Sequence, residues 1–182
     1  MDQDLLGCYD KASAWTAGIV AGAADKLDAA TPCDGWDVNT LLNHMLDTQR
    51  YFLESAHGKQ ASFPLSDPPD VLSDNPQADF EDKREEMLHT YGQPGIVEKT
   101  GPSLGIAFSD LLLHGWDLAV ATGQDTTMPE GMADAAYTMI HGRFTDEQRE
   151  GIFKPEGPVA DDASPQDRYL AYSGRDPQTK LA

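Results

Sequence analysis

The stretch that decides the fold reads Ser103-Leu-Gly-Ile-Ala-Phe-Ser-Asp-Leu-Leu-Leu-His-Gly-Trp-Asp-Leu-Ala-Val-Ala-Thr122. Apolar residues lie around most of the circumference of the helix that it would form, and Gly123 follows as a C-terminal stop. A helix that is apolar on nearly every side belongs in the middle of a bundle. The polar residues that remain on it, Asp110, His114 and Asp117, then need partners inside the protein.

The rest of the chain also predicts helices, because apolar residues recur at steps of three and four. These segments cover residues 4–27, 37–56, 76–91, 128–141 and 166–172. Three prolines predict a surface loop at residues 59–75, and residues 95–105 are predicted to be a connection with an extended piece. No segment has the strict alternation of a strand. The sequence therefore predicts an all-α fold, an up-and-down four-helix bundle with additional short C-terminal helices.

Length and charge narrow the class of protein. The 182 residues, 40% of them hydrophobic, predict a single domain over residues 1–182 with a short irregular tail from about residue 174. The chain has 13 Lys and Arg against 31 Asp and Glu, for a formal charge of −18. Such a charge repels phosphate backbones and anionic membrane surfaces, so neither nucleic acid nor a membrane is expected as a partner.

The cysteines and the N-terminus predict a cytoplasmic protein. Cys8 and Cys33 are too few for a disulfide scaffold and lack the spacing of a zinc cluster. The first residues carry acids where a secretory signal would carry Lys or Arg, and no apolar run is expected to span a membrane.

One set of residues predicts metal chemistry. Asp110 and His114 stand four residues apart on one helix, so their side chains project from the same face on successive turns. His44, within the apolar Leu41-Leu-Asn-His-Met45, would supply a third ligand, and catalytic zinc commonly has three such ligands and one exchangeable position. Each residue also has an ordinary structural reading, because buried histidines are common and Asp-x-x-x-His often occurs by chance. Spacing alone leaves both readings open.

A wider pattern resembles a known family. The ordered blocks are Thr31-Pro-Cys-Asp-Gly-Trp-Asp37, Leu41-Leu-Asn-His44, Asp110-Leu-Leu-Leu-His-Gly-Trp-Asp-Leu-Ala119, Pro165-Gln-Asp-Arg-Tyr-Leu170 and Gly174-Arg-Asp-Pro177. Together they resemble actinobacterial metal-binding proteins of the DinB-like superfamily that are related to the N-terminal domain of mycothiol-dependent maleylpyruvate isomerase. The resemblance implies a DinB-like bundle in which His44, Asp110 and His114 are the metal ligands. Some relatives have Glu at the position of Asp110.

The resemblance also implies a chemistry. The metal, expected to be Zn²⁺ with Ni²⁺ or Fe²⁺ as alternatives, would bind a low-molecular-weight thiol such as mycothiol and activate it toward a small electrophile. The predicted function is a thiol S-transferase or isomerase-like enzyme. Maleylpyruvate isomerisation itself is not expected, because that enzyme uses a further C-terminal domain. The alternatives are a metal-dependent hydrolase or lyase that activates water, and a non-catalytic metal-binding bundle associated with stress.

Several other residues carry two readings. Asp117 would either accept the second ring proton of a ligating histidine or form a salt bridge on the helix surface. Cys33 is read as a small buried hydrophobe in preference to a reactive thiol, and Trp36 as core packing. His141 is the best substitute ligand, ahead of His57 and His89. The arginines are expected mainly to balance acids, and apolar residues on the fifth helix would form a lid or, as we expect, a homodimer face.

Overall fold

The all-α prediction is confirmed by the structure, a computed structural model that describes residues 4–64, 67–149 and 152–181. Within those ranges no strand occurs, and the one β-type feature is an isolated bridge between Ala30 and Asp37. The helices of the described residues are α1 (Leu5–Ala21), α2 (Val38–Ala56), α3 (Pro76–Tyr91), α4 (Ile96–Thr100), α5 (Ser103–Thr122), α6 (Met132–Ile140), α7 (Asp146–Arg149) and α8 (Pro165–Tyr172).

The helix α5 lies in the centre, as its sequence predicted. It begins at Ser103 and ends at Thr122, and the next residue, Gly123, has a φ of 69°, the left-handed C-terminal conformation that glycine adopts without strain. The helix packs against α1, α2, α4 and α6, while α3 completes the bundle by packing on α1 and α2. Trp116, Phe108 and Leu112 of α5 are among the largest fully buried side chains. The polar residues of α5 are therefore carried into the interior.

The same helix corrects the expectation that no apolar run could span a membrane. Ser103–Thr122 is long and apolar enough by length and composition, with a mean hydropathy of 1.3. However, 89% of its most apolar window is buried inside the protein. Such a helix is typical of a bundle core as well as of a membrane, and here its apolar surface is covered by its neighbours.

The first predicted helix was wrong in its C-terminal bound, and the predicted connection at residues 95–105 was wrong in type. The first helix ends at Ala21 and not near residue 27, because turns follow Gly22 and the chain then leaves the helical axis. Lys26 in this turn donates a hydrogen bond to the backbone oxygen of Thr122 at 2.6 Å and so satisfies the end of α5. Residues 96–100, expected to be a connection with an extended piece, form the short helix α4.

Of the C-terminal helices, α6 packs on α5 and α8 packs on α6. The helix α6 begins at Met132, later than predicted, because Gly131 has a φ of 79° and ends a turn that starts at Pro129. The helix α8 contacts α6, and the Tyr169 hydroxyl donates to the backbone oxygen of Ser109 at 2.5 Å. This bond anchors the last helix to α5, one residue before Asp110. The helix α7 was not predicted.

Candidate metal centre

A short turn places His44 by fixing where α2 begins. The Thr31 amide donates to the Trp36 oxygen at 3.1 Å, and the Trp36 amide donates to the Cys33 oxygen at 3.0 Å. Asp37 then caps the helix, since its Oδ1 accepts the Thr40 amide at 2.8 Å. The helix therefore starts at Val38, and His44 comes on its second turn.

Close packing between α1 and α5 fixes the other half of the site. A Cβ atom at Gly115 would lie 2.7 Å from Thr16 Oγ1 and 2.7 Å from the Trp15 ring, which is closer than real Cβ contacts. Glycine at this position lets the two helices approach. Because Gly115 follows His114 directly, this contact also sets the rotation of α5 at the candidate site.

The structure brings the three predicted ligands together. One donor atom from each of His44, Asp110 and His114 lies within 4.8 Å of the other two. The two imidazole rings meet edge to face with centroids 5.0 Å apart, and His114 Nε2 lies 3.5 Å from Asp110 Oδ1. Two imidazoles and a carboxylate at this separation are a donor set that zinc accepts with a fourth position open.

Solvent reaches this cluster through two of its three residues. The Asp110 side chain is 29% exposed, whereas that of His114 is 9% exposed. His44 is half-buried. An exchangeable ligand would therefore approach at Asp110 and His44, the two ligands that the protein covers less.

Asp117 holds the far side of the His114 ring. Its Oδ2 lies 2.9 Å from His114 Nδ1, and the side chain is fully buried, which excludes the reading as a helix-surface salt bridge. With a proton on Nδ1, the Nε2 atom carries the lone pair that can bind a metal ion, and Nε2 is the atom that faces Asp110. Burial opposes the charged form of Asp117, but the Arg175 guanidinium and His114 outweigh it and hold the pKa of this carboxyl below its usual range.

The negative charge on Asp110 likewise stabilises the charged form of its partner, the His114 imidazole. Burial lowers the pKa of this imidazole, but the Asp110 carboxylate and the hydrogen bond to Asp117 outweigh burial and raise the pKa well above its usual value. Two carboxylates thus flank one ring, and one of them, Asp117, is already paired with Arg175. The other, Asp110, favours a positive charge beside His114 Nε2, from a proton or from a cation.

A second donor cluster shares His114. Cys33, His114 and Asp117 also have ligand atoms within 4.8 Å of one another, and Cys33 Sγ lies 3.3 Å from Asp117 Oδ2. Arg175 Nη2 lies 2.8 Å from the same carboxylate oxygen and 3.7 Å from the sulfur. A cation there would meet the guanidinium charge, so the cluster with His44 is the better metal site. Sequence spacing gave no signal for this second cluster, although Cys33 does pack partly buried against the core.

Trp36 belongs to the site and not only to the core. Its ring centroid lies 4.8 Å from that of His44 and 6.4 Å from that of His114, and the side chain is half-buried. Trp116, by contrast, is 1% exposed and is a core residue as predicted. The indole of Trp36 therefore forms an aromatic wall beside both imidazoles.

The substitute histidines do not join the site. In residues 4–64, 67–149 and 152–181, neither donor cluster includes His57, His89 or His141. His141 instead packs against the rings of Tyr137 and Tyr172, with centroid distances of 4.6 and 5.2 Å.

Comparisons with known proteins place the chain in a family. A model of the family described as "Mycothiol maleylpyruvate isomerase N-terminal domain" matches residues 9–89. This chain is also 30% identical, over 186 residues, to each of two proteins of Mycobacterium tuberculosis. They are "Uncharacterized protein MT0763" of strain CDC 1551 / Oshkosh and "Uncharacterized protein Rv0738" of strain H37Rv. Each alignment covers 94% of this chain and 98% of the relative. No solved structure matches the chain significantly. The family match and the near full-length relatives show that the chain belongs to the family of the mycothiol maleylpyruvate isomerase N-terminal domain.

Proposed function

We propose that this protein is a metal-dependent enzyme that uses a low-molecular-weight thiol of the mycothiol type, with Zn²⁺ held by His44, Asp110 and His114. The observation that carries the proposal is the convergence of three donor atoms from two helices within 4.8 Å, with His114 oriented by a buried carboxylate. The family description, which names mycothiol, supports the thiol as the cosubstrate. The second substrate would be a small electrophile, and the enzyme would work in the cytoplasm as a homodimer.

The ion would act as a Lewis acid that favours the thiolate form of a coordinated thiol, the form that attacks an electrophilic carbon. The chain's own residues do the rest. Asp117 accepts a hydrogen bond from His114 Nδ1–H and fixes the tautomer whose Nε2 can bind a cation. The indole of Trp36 covers both imidazoles on one side and limits water there. Asp110, which is more exposed than His114, leaves an approach for the substrates.

Metal analysis tests the site. Purified wild-type protein should carry about one equivalent of divalent metal, and the His44→Ala and His114→Ala variants should lose it. His89→Ala is the matched control, because His89 is exposed on α3 and lies outside both donor clusters. A His44→Ala variant that keeps stoichiometric metal would contradict the proposed ligand set.

A separate experiment tests the thiol. The zinc-loaded protein is incubated with mycothiol and a panel of epoxides, haloalkanes and quinones, and conjugates are detected by mass spectrometry. We expect a conjugate that forms only with metal and with intact His114. Metal-dependent loss of an electrophile without any thiol in its product would instead favour a hydrolase on the same residues.

A further inference from the structure

The segment after α8 sends one side chain back to the bundle core. Gly174 turns the chain with a φ of 78°, and the Arg175 amide donates to the Leu170 oxygen at 2.9 Å. The Arg175 side chain is only 11% exposed. An arginine so well covered by protein needs specific partners for its charge.

Those partners are on α5 and in the turn itself. Arg175 Nη2 donates to Asp117 Oδ2 at 2.8 Å, and Nε lies 3.3 Å from Oδ1 of the same carboxylate. A third donor, Nη1, reaches the Ser173 backbone oxygen at 3.1 Å. In this arrangement two guanidinium nitrogens face two carboxylate oxygens. Arginine can make such a two-point contact, whereas lysine has only one nitrogen to donate.

The carboxylate that Arg175 holds is the one that orients His114. Asp117 is fully buried, and its Oδ2 receives both Arg175 Nη2 and His114 Nδ1. A buried carboxylate without a cationic partner is unfavourable, so Asp117 would turn toward water. His114 would then lose the acceptor that fixes its tautomer and ring orientation.

We infer that Arg175 is a positioning residue of the proposed metal centre: it acts through Asp117 to hold His114 in the orientation that binds the ion. The inference rests on the proposed metal site. It assigns a role at that site to the Gly174-Arg-Asp-Pro177 segment, which lies far from the three ligands in the sequence.

The test measures metal affinity and the cobalt spectrum. Apo-protein is titrated with Zn²⁺ or Co²⁺ against a chromophoric chelator. Arg175→Gln should weaken binding about 10- to 100-fold, the usual effect of removing support for a ligand, and should change the visible spectrum of the Co²⁺ form. Arg175→Lys should give an intermediate loss. Arg168→Gln, at an exposed position of α8, should match the wild type.

A double-mutant cycle separates positioning from general stability. Because Arg175 acts through Asp117, Arg175→Gln should have no further effect on affinity in an Asp117→Asn background. The double variant, Asp117→Asn with Arg175→Gln, replaces the buried ion pair by two neutral amides and leaves no unpaired charge. It therefore still allows the test if Arg175→Gln alone does not fold. Circular dichroism of each apo-protein establishes that the helices are retained.

The outcomes are distinguishable. A wild type that binds no metal would overturn both the proposed function and this inference. A wild type that binds metal, with unchanged affinity and spectrum in a folded Arg175→Gln variant, would overturn only the inference. Equal losses from Arg175→Gln in the wild-type and Asp117→Asn backgrounds would also overturn it, because Arg175 would then act independently of Asp117.

Discussion

The ring of Trp36 packs on the imidazole of His44, with centroids 4.8 Å apart and planes inclined by 49°. An indole so close to a proposed ligand should report the ion. We expect Co²⁺ to quench part of the tryptophan fluorescence at one equivalent, because a paramagnetic ion quenches a nearby indole. Trp36→Phe should remove most of this quenching while metal binding persists. If the variant is quenched as strongly as the wild type, the ion lies nearer Trp15 or Trp116 and the site is misplaced.

The two donor clusters make opposite predictions for Cys33. If the ion lies with His44 and Asp110, Cys33→Ala should keep about one equivalent of metal by elemental analysis, because its sulfur is outside that cluster. His44→Ala should lose the metal. The reverse pattern would move the ion to Cys33, His114 and Asp117, next to the Arg175 charge.

The cap of α2 should contribute measurably to stability. Asp37→Ala removes the acceptor of the Thr40 amide and should lower the free energy of unfolding by about 1 kcal/mol in urea titrations. Asp37→Asn keeps a good cap and should be close to the wild type. An alanine variant as stable as the wild type would mean that the turn before α2 is held by its backbone bonds alone.

The same cap has a pH dependence. The Thr40 hydroxyl and amide hydrogen bonds lower the pKa of Asp37 below its ordinary value. A depressed folded-state pKa contributes stability above the unfolded pKa of about 3.9, and that stability is lost as pH falls through the lower folded value. Urea titrations between neutral and acid pH should therefore show a falling contribution in the wild type that is absent in Asp37→Asn. Parallel curves for the two proteins would contradict this.

Gly115 should be sensitive to a single methyl group. Gly115→Ala would force Thr16 and the Trp15 ring to move, and overpacking of this kind costs about 1–3 kcal/mol. Gly18→Ala is the control, since a Cβ at this exposed position of α1 meets nothing within 4 Å. That change should stabilise the protein by about 0.5–1 kcal/mol through helix propensity. Equal effects of the two substitutions would show that α1 can move away from α5 freely.

The sequence predicted the parts of the site that depend on local pattern. The long apolar run of α5 and its following glycine gave both ends of that helix, and the spacing of Asp110 and His114 put them on one face. The position of His44 beside Asp110 and His114 does not follow from local spacing, because those two residues lie on another helix. The resemblance to a family, and not periodicity, supplied that pairing.

What the sequence could not predict depends on packing between distant segments. Arg175 looks like any arginine in an acidic chain until α8 is placed against α6 and the turn at Gly174 brings it to Asp117. The sequence predicts Trp36 to be a core residue. The bend of residues 31–37 places its ring beside His44, and a helical period does not show that bend. The five-residue helix α4 is too short to show a period.

His44 is on α2, whereas Asp110 and His114 are on α5, with α3 and α4 between them in the chain. In the unfolded chain only Asp110 and His114 are close enough to bind the same ion. The ion would therefore bind strongly only after α2 and α5 pack together. The centre would then be completed late in folding, on a bundle whose apolar core is already in place. Binding to the folded state alone raises its stability by mass action. The supply of metal would therefore set the free energy of unfolding of the folded protein, whereas folding itself would not require the metal.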